Sequence, residues 1–167
     1  MTNGLRNRNK GHNAERYYAH IFRQLGYHRC ATSREGSKLY DNAKIDLIFI
    51  PYNIQIKAGK QKNLNAGKEL LNMKSTITAF FPEDEKVHSL PCLLFHYKEV
   101  GKGNKRTIND EIVYMSLEQF KSFLKDNPIL KYDNLKILNF KVNSEFKEIV
   151  SMTFDYFKEN IIIKQLK

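Results

Sequence analysis

The segment Asp46-Leu-Ile-Phe-Ile-Pro-Tyr-Asn-Ile-Gln-Ile-Lys57 constrains the fold more than any other part of the chain. It reads as a β-hairpin, two short apolar runs meeting at Pro51-Tyr52. Side chains alternate across a strand, so Ile54 and Ile56 face one way and Asn53, Gln55 and Lys57 the other. Tight pairing across the turn brings Asp46 toward Gln55 and Lys57. A carboxylate, an amide oxygen and an ammonium then meet at one place on a sheet.

The charge balance says what such a place would face. The chain carries 28 basic and 18 acidic residues, a net charge of +10. That excess favours polyanions, nucleic acid first and an anionic membrane second. Arg6, Arg8 and Lys10 open a basic N-terminal part, and Lys57, Lys60, Lys62, Lys68 and Lys74 continue it. With 167 residues, 41% of them hydrophobic, the chain is expected to form one domain with a real core. No apolar run approaches the roughly 18–20 residues that span a membrane. The first ten residues lack the apolar stretch of a signal peptide. The expectation is a cytoplasmic, intracellular protein with no membrane partner. Cys30 and Cys92 have no Cys or His at zinc spacing and read as small core residues. No phosphate loop of the G-X-X-X-X-G-K-[ST] kind is present, which argues against a nucleotide-driven motor.

Along the chain, residues 1–10 read as a flexible basic N-terminus and residues 11–167 as one domain. A helix is predicted from Asn13 to Leu25, with Ala14, Tyr17, Tyr18, Ile21, Phe22 and Leu25 on one face and Gly26 closing it. Strands are predicted at Tyr27–Thr32, Ile45–Ile50 and Asn53–Lys57, with a polar loop at Ser33–Lys44. A Gly- and Lys-rich stretch, Ala58–Gly67, leads to a helix near Lys68–Phe80. Strands follow at Pro91–Tyr97 and Glu111–Met115, separated by a turn at Lys102–Lys105. Ser116 caps a helix over Leu117–Lys125. The tail reads as a strand, Leu135–Val142, and a helix, Ser144–Lys158. This order predicts an α/β fold with a central mixed β-sheet flanked by helices.

Phosphodiester hydrolysis needs a metal that lowers the pKa of a water and neutralises phosphate charge. Mg²⁺ takes oxygen ligands. Asp46 offers a carboxylate, Gln55 an amide oxygen and Ile56 its main-chain carbonyl. Lys57 offers a cation beside the attacking water. Glu15 adds a second acid if the first helix packs beside the hairpin.

The same residues, in order, resemble the PD-(D/E)XK nuclease superfamily, most of all its archaeal and phage-type Holliday junction resolvases. The resemblance runs from Gly11 to about Gly59. It rests on Gly11-His-Asn-Ala-Glu15-Arg16 opening a helix, Gly26-Tyr27 closing it, Thr32-Ser-Arg34-Glu-Gly36-Ser37 in the loop, Ile45-Asp46-Leu47-Ile48, and Gln55-Ile56-Lys57. It implies a restriction-endonuclease-like core and Mg²⁺, with Mn²⁺ able to replace it. Glu15, Asp46 and Gln55 would bind the metal, and Lys57 would assist the water. Arg34 and Ser37 would contact DNA around the scissile bond. Arg16, Arg6, Arg8, Lys10, Lys60 and Lys62 would bind its backbone. The resemblance also implies a homodimer acting on four-way DNA junctions.

Two positions depart from the pattern. Gln55 stands where the superfamily usually has glutamate, although Q-X-K variants occur in it. Ile45 stands where the eponymous proline would be. The expected function is a metal-dependent DNA endonuclease, selective for branched structure. The alternatives are another PD-(D/E)XK endonuclease of restriction or repair type, a catalytically silent DNA-binding module of the same fold, and a basic protein-interaction domain.

Overall fold

Strands that bury both faces need helices on both sides, and that requirement organises this molecule. The computed structural model describes residues 3–59, 64–100, 107–126 and 135–166. The helices are α1 (Asn3–Gln24), α2 (Ser33–Gly36), α3 (Lys38–Asn42), α4 (Ala66–Phe80), α5 (Glu85–Ser89), α6 (Leu117–Asp126), α7 (Phe154–Phe157) and α8 (Ile163–Gln165). A π-helical turn, Lys158–Ile162, joins the last two. The strands are β1 (Ala31–Thr32), β2 (Leu47–Ile48), β3 (Asn53–Ala58), β4 (Cys92–Val100), β5 (Thr107–Ser116), β6 (Lys136–Val142) and β7 (Glu145–Thr153).

Five strands form the main sheet in the order β3-β4-β5-β7-β6. β3 and β4 run parallel, and every other pair is antiparallel. A parallel pair needs a long crossover, which α4 and α5 supply. One face packs Ile54, Ile56, Leu93, Phe95 and Val113 against Tyr18 and Phe22 of α1, Phe120 of α6 and Phe157 of α7. The other packs Cys92, Leu94 and Ile149 against Leu70, Met73 and Ile77 of α4 and Val87 of α5. The result is the expected α/β class, a mixed sheet between two helical layers.

Several local expectations are corrected. α1 begins at Asn3, so residues 3–10 are helical and not an irregular arm. Gly4 and Gly11 each weaken a helix by about 1 kcal/mol, and neither ends it. The expected strand from Tyr27 shrinks to Ala31–Thr32. Tyr27–Cys30 is instead a turn in which the Cys30 N–H donates to the Tyr27 carbonyl. The loop from Ser33 to Lys44 holds two short helices.

The largest correction is at Ser144–Lys158. This segment is β7 followed by α7 and the π-helical turn, not one helix. Asn143 and Ser144 have φ of 49° and 68°, the two positive angles of a tight hairpin turn. They fold β7 back on β6 with Val142 opposite Glu145. Ile149, Val150, Ser151 and Met152 are all buried, so the strand shows no alternation to read. The tail therefore completes the sheet. The predicted turn at Lys102–Lys105 lies outside the described residues. Ser116 caps α6 as expected, its Oγ accepting from the Gln119 N–H at 3.2 Å.

Candidate active site

The expected Asp46–Lys57 hairpin does not form as a ladder, because the chain leaves extended backbone at Phe49. The strand expected over Ile45–Ile50 shrinks to Leu47–Ile48, which pairs with β1, while β3 pairs with β4. Asp46, just before β2, is instead tied to β3 by individual hydrogen bonds. Its N–H donates to the Ile54 carbonyl at 2.7 Å. Two residues on, the Ile56 N–H donates to Asp46 Oδ2 at 2.6 Å. The carboxylate thus takes the place of the next main-chain acceptor. The Asp46 carbonyl also accepts from the Ser33 N–H at 2.9 Å. Asp46 is therefore fixed through main chain and side chain together. Burial pushes its carboxyl up to about 7, and the negative Glu15 adds to the rise. The Ile56 N–H and the Arg34 guanidinium pull the other way.

Glu15 projects from α1, buried, as the packing of that helix on β3 requires. Arg34 Nε donates to its Oε2 at 2.9 Å and to its Oε1 at 3.2 Å. Arg34 also lies 3.8 Å from Asp41 Oδ1. Two residues expected to act separately, an acid and a DNA contact, are here one ion pair. Its Glu15 side chain is 5% exposed and its Arg34 side chain 40%. Removing one partner of a buried pair destabilises strongly, by roughly 3–5 kcal/mol. Water reaching the exposed guanidinium side reduces that figure, so Arg34→Ala is expected to lose roughly 2 kcal/mol in urea unfolding. Adding Glu15→Gln should recover part of the loss. An unchanged midpoint in Arg34→Ala would contradict this account.

Gln55 and Lys57 share the β3 face that meets α4, as strand alternation predicts. Gln55 is 6% exposed, and its Oε1 has no hydrogen-bond partner among the described residues. Lys57 Nζ lies 3.1 Å from Glu69 Oε2 on α4. Glu69 is a site residue that sequence reasoning misses. Its signal is a first-turn acid after an Asn N-cap, with Asn65 Oδ1 accepting from the Lys68 N–H at 2.9 Å. That signal locates a helix start but not its partner. His96 stands beside Lys57 in the register, its Nε2 2.9 Å from the Gly59 carbonyl. The Ile56 carbonyl leaves the strand on the same edge as its N–H, the edge where Asp46 sits.

The other expected contacts lie farther out. Ser37 links α2 to α3, and its N–H donates to the Ser33 carbonyl. Arg16 and Arg8 are exposed, and Lys10 is half-buried. Arg16 Nε lies 3.6 Å from Glu35 Oε1. Arg6 falls on the first turns of α1. Lys60 and Lys62 lie outside the described residues.

The donors around Asp46 fit a hard cation. Asp46 and Glu15 are buried carboxylates, and the Gln55 Oε1, on the strand residue before Ile56, is a buried acceptor that no donor meets among the described residues. Among the described residues no three His, Cys, Asp or Glu side chains are grouped to hold a metal. A cation there would need an amide or main-chain oxygen besides the two carboxylates, and Gln55 and Ile56 carry such oxygens. No protein-family model, curated protein or solved structure matches the chain.

Proposed function

We propose that the protein is a metal-dependent DNA endonuclease with a restriction-endonuclease-like core, selective for branched DNA such as a four-way junction. The observation that carries this reading is the Gln55 Oε1, buried on the Lys57 face of β3 without a donor among the described residues, one residue before the Ile56 N–H that binds Asp46. A buried acceptor without a donor destabilises by about 1–3 kcal/mol. A cation bound there removes that penalty.

Asp46, the Gln55 Oε1 and the Ile56 carbonyl would hold Mg²⁺ or Mn²⁺, with Glu15 as the second acid. When bound, the ion lowers the pKa of a water and neutralises phosphate charge. Lys57 orients the attacking water and faces the developing negative charge, and Glu69 keeps its ammonium in place. Arg34 holds Glu15 and adds positive charge at the surface. Arg16, Arg8, Lys10 and Ser37 supply contacts to the DNA backbone, together with Arg6, Lys60 and Lys62. The net charge of +10 makes such binding salt-dependent. Two symmetric nicks in a junction require a homodimer, and the reading includes one, in the cytoplasm.

The test is cleavage of a synthetic four-way junction beside a linear duplex of the same sequence, with Mg²⁺ or Mn²⁺. Wild type is compared with Asp46→Ala and Lys57→Ala. Paired nicks near the branch, lost in both variants, support the reading. Cleavage of the duplex alone moves it to a restriction- or repair-type enzyme. Binding without cutting leaves a silent module, and no binding of any DNA at low salt removes nucleic acid altogether.

Gln55→Glu gives a narrower check on the ligand set. A carboxylate there should lower the Mg²⁺ concentration for half-maximal cleavage by about tenfold, since hard cations prefer charged oxygens. Loss of cleavage by the folded variant at saturating Mg²⁺ would contradict a ligand role for Gln55.

A further inference from the structure

Phe49 lies three residues beyond Asp46, in the bend that follows β2, with φ of 64°. For a bulky aromatic residue that backbone is an outlier. Turns that need a positive φ normally use Gly or Asn. The residue is also 56% exposed, the most exposed large apolar side chain among the described residues. The strain therefore secures no burial. Positive-φ backbone at Asn143 and Ser144 has an evident cause in a hairpin turn, whereas Phe49 has none among the described residues.

A cation accompanies the ring. β1 pairs with β2 so that Ala31 faces Ile48, which carries Arg29 to the end of β2 beside Phe49. The Arg29 guanidinium carbon lies 4.9 Å from the Phe49 ring centroid. Arg29 and its neighbour His28 are both exposed. A half-exposed ring with a guanidinium over one face suits one ligand chemistry well: a nucleobase stacked on this aromatic–arginine pair, with its phosphate on the arginine. A paired base inside a duplex has no face to offer, so the ligand is an unpaired base.

We propose that Phe49 and Arg29 form a stacking platform for an unpaired nucleobase of the DNA substrate. This rests on the nuclease reading and specifies its substrate class: DNA with an unpaired base at a branch, gap or flap. Three residues of chain span at most about 10 Å, and one DNA strand advances about 3.4 Å per nucleotide. Cleavage is then expected within about three nucleotides of the unpaired base.

The experiment uses the full chain, without divalent metal, at low salt. One probe is a duplex with a short gap containing a single 2-aminopurine; the other is the intact duplex. Wild type should bind the gapped DNA more tightly and quench the 2-aminopurine. Phe49→Ala should lose roughly 5- to 100-fold in affinity for the gapped DNA, the worth of one aromatic stack. Its affinity for the duplex should be unchanged, and Phe49→Trp should restore gap binding. Equal effects of Phe49→Ala on both DNAs, or none on either, would overturn the platform and leave the nuclease reading standing. A lower sedimentation mass in Phe49→Ala with DNA binding unchanged would overturn it in favour of a contact between copies. Failure of wild type to bind any DNA would overturn both readings.

Discussion

Asp46→Asn is expected to be more stable than wild type at pH 8 and to cleave DNA more than about a hundredfold more slowly, beyond the 10–100-fold typical of losing an outer-shell partner of a metal. The two effects share one cause. Burial raises the folded carboxyl to about 7, against a value near 3.8 in the unfolded chain. The folded state therefore binds the proton more tightly, and stability falls as pH rises from about 4 to 7. Across that pH interval the loss accumulates at about 1.4 kcal/mol per pH unit, so an ionised Asp46 destabilises the fold by up to roughly 4 kcal/mol. Asparagine keeps an acceptor for the Ile56 N–H and carries no charge. Its advantage should be about 2–4 kcal/mol at pH 8 and vanish below pH 4.

Under the proposed function, activity would depend on the charge that stability disfavours. A metal must displace the Asp46 proton, so its affinity should rise about tenfold per pH unit below 7 and level off above it. Thermal melts of both proteins across pH 4–8, with and without Mg²⁺, test this directly. Mg²⁺ should raise the melting temperature of wild type at pH 8 and leave Asp46→Asn unmoved. Equal stability of the two proteins at pH 8 would mean that Asp46 is not the strained acid described here.

Lys57→Met should reduce kcat by about 10²–10³-fold, the usual loss when one preorganised donor to developing negative charge is removed. KM and the melting temperature should barely change. The Lys57–Glu69 pair is about a quarter exposed on each side, and such pairs contribute at most about 1 kcal/mol. Glu69→Gln is expected to reduce kcat by about tenfold, since it frees the ammonium without removing it. Glu69→Asp should recover part of that loss. Equal kcat in Glu69→Gln and wild type would reduce the 3.1 Å contact to a surface ion pair. A large drop in melting temperature in either variant would assign the pair to stability instead.

The sequence signal succeeds where it is local and periodic. The apolar face of α1 emerges from helical spacing, and the shared face of Gln55 and Lys57 from strand alternation. The Ser116 cap follows from its position before an apolar run. β7 escapes for the same reason, since burial on both faces erases its period of two. Its turn is visible only as Asn143-Ser144, a weak hairpin signal without the usual glycine.

The site divides along the same line. Sequence by itself determined which side chains were available: an acid on the first helix, an acid just before β2, and Gln55 with Lys57 on one strand face. Tertiary structure decided what each of them meets. It closed Arg34 on Glu15 across 19 residues, set Glu69 against Lys57, buried Asp46 deeply enough to move its titration, and left the Gln55 oxygen without a donor among the described residues. Pairing, desolvation and orphaned acceptors depend on which elements converge in space, and no spacing along the chain encodes that convergence.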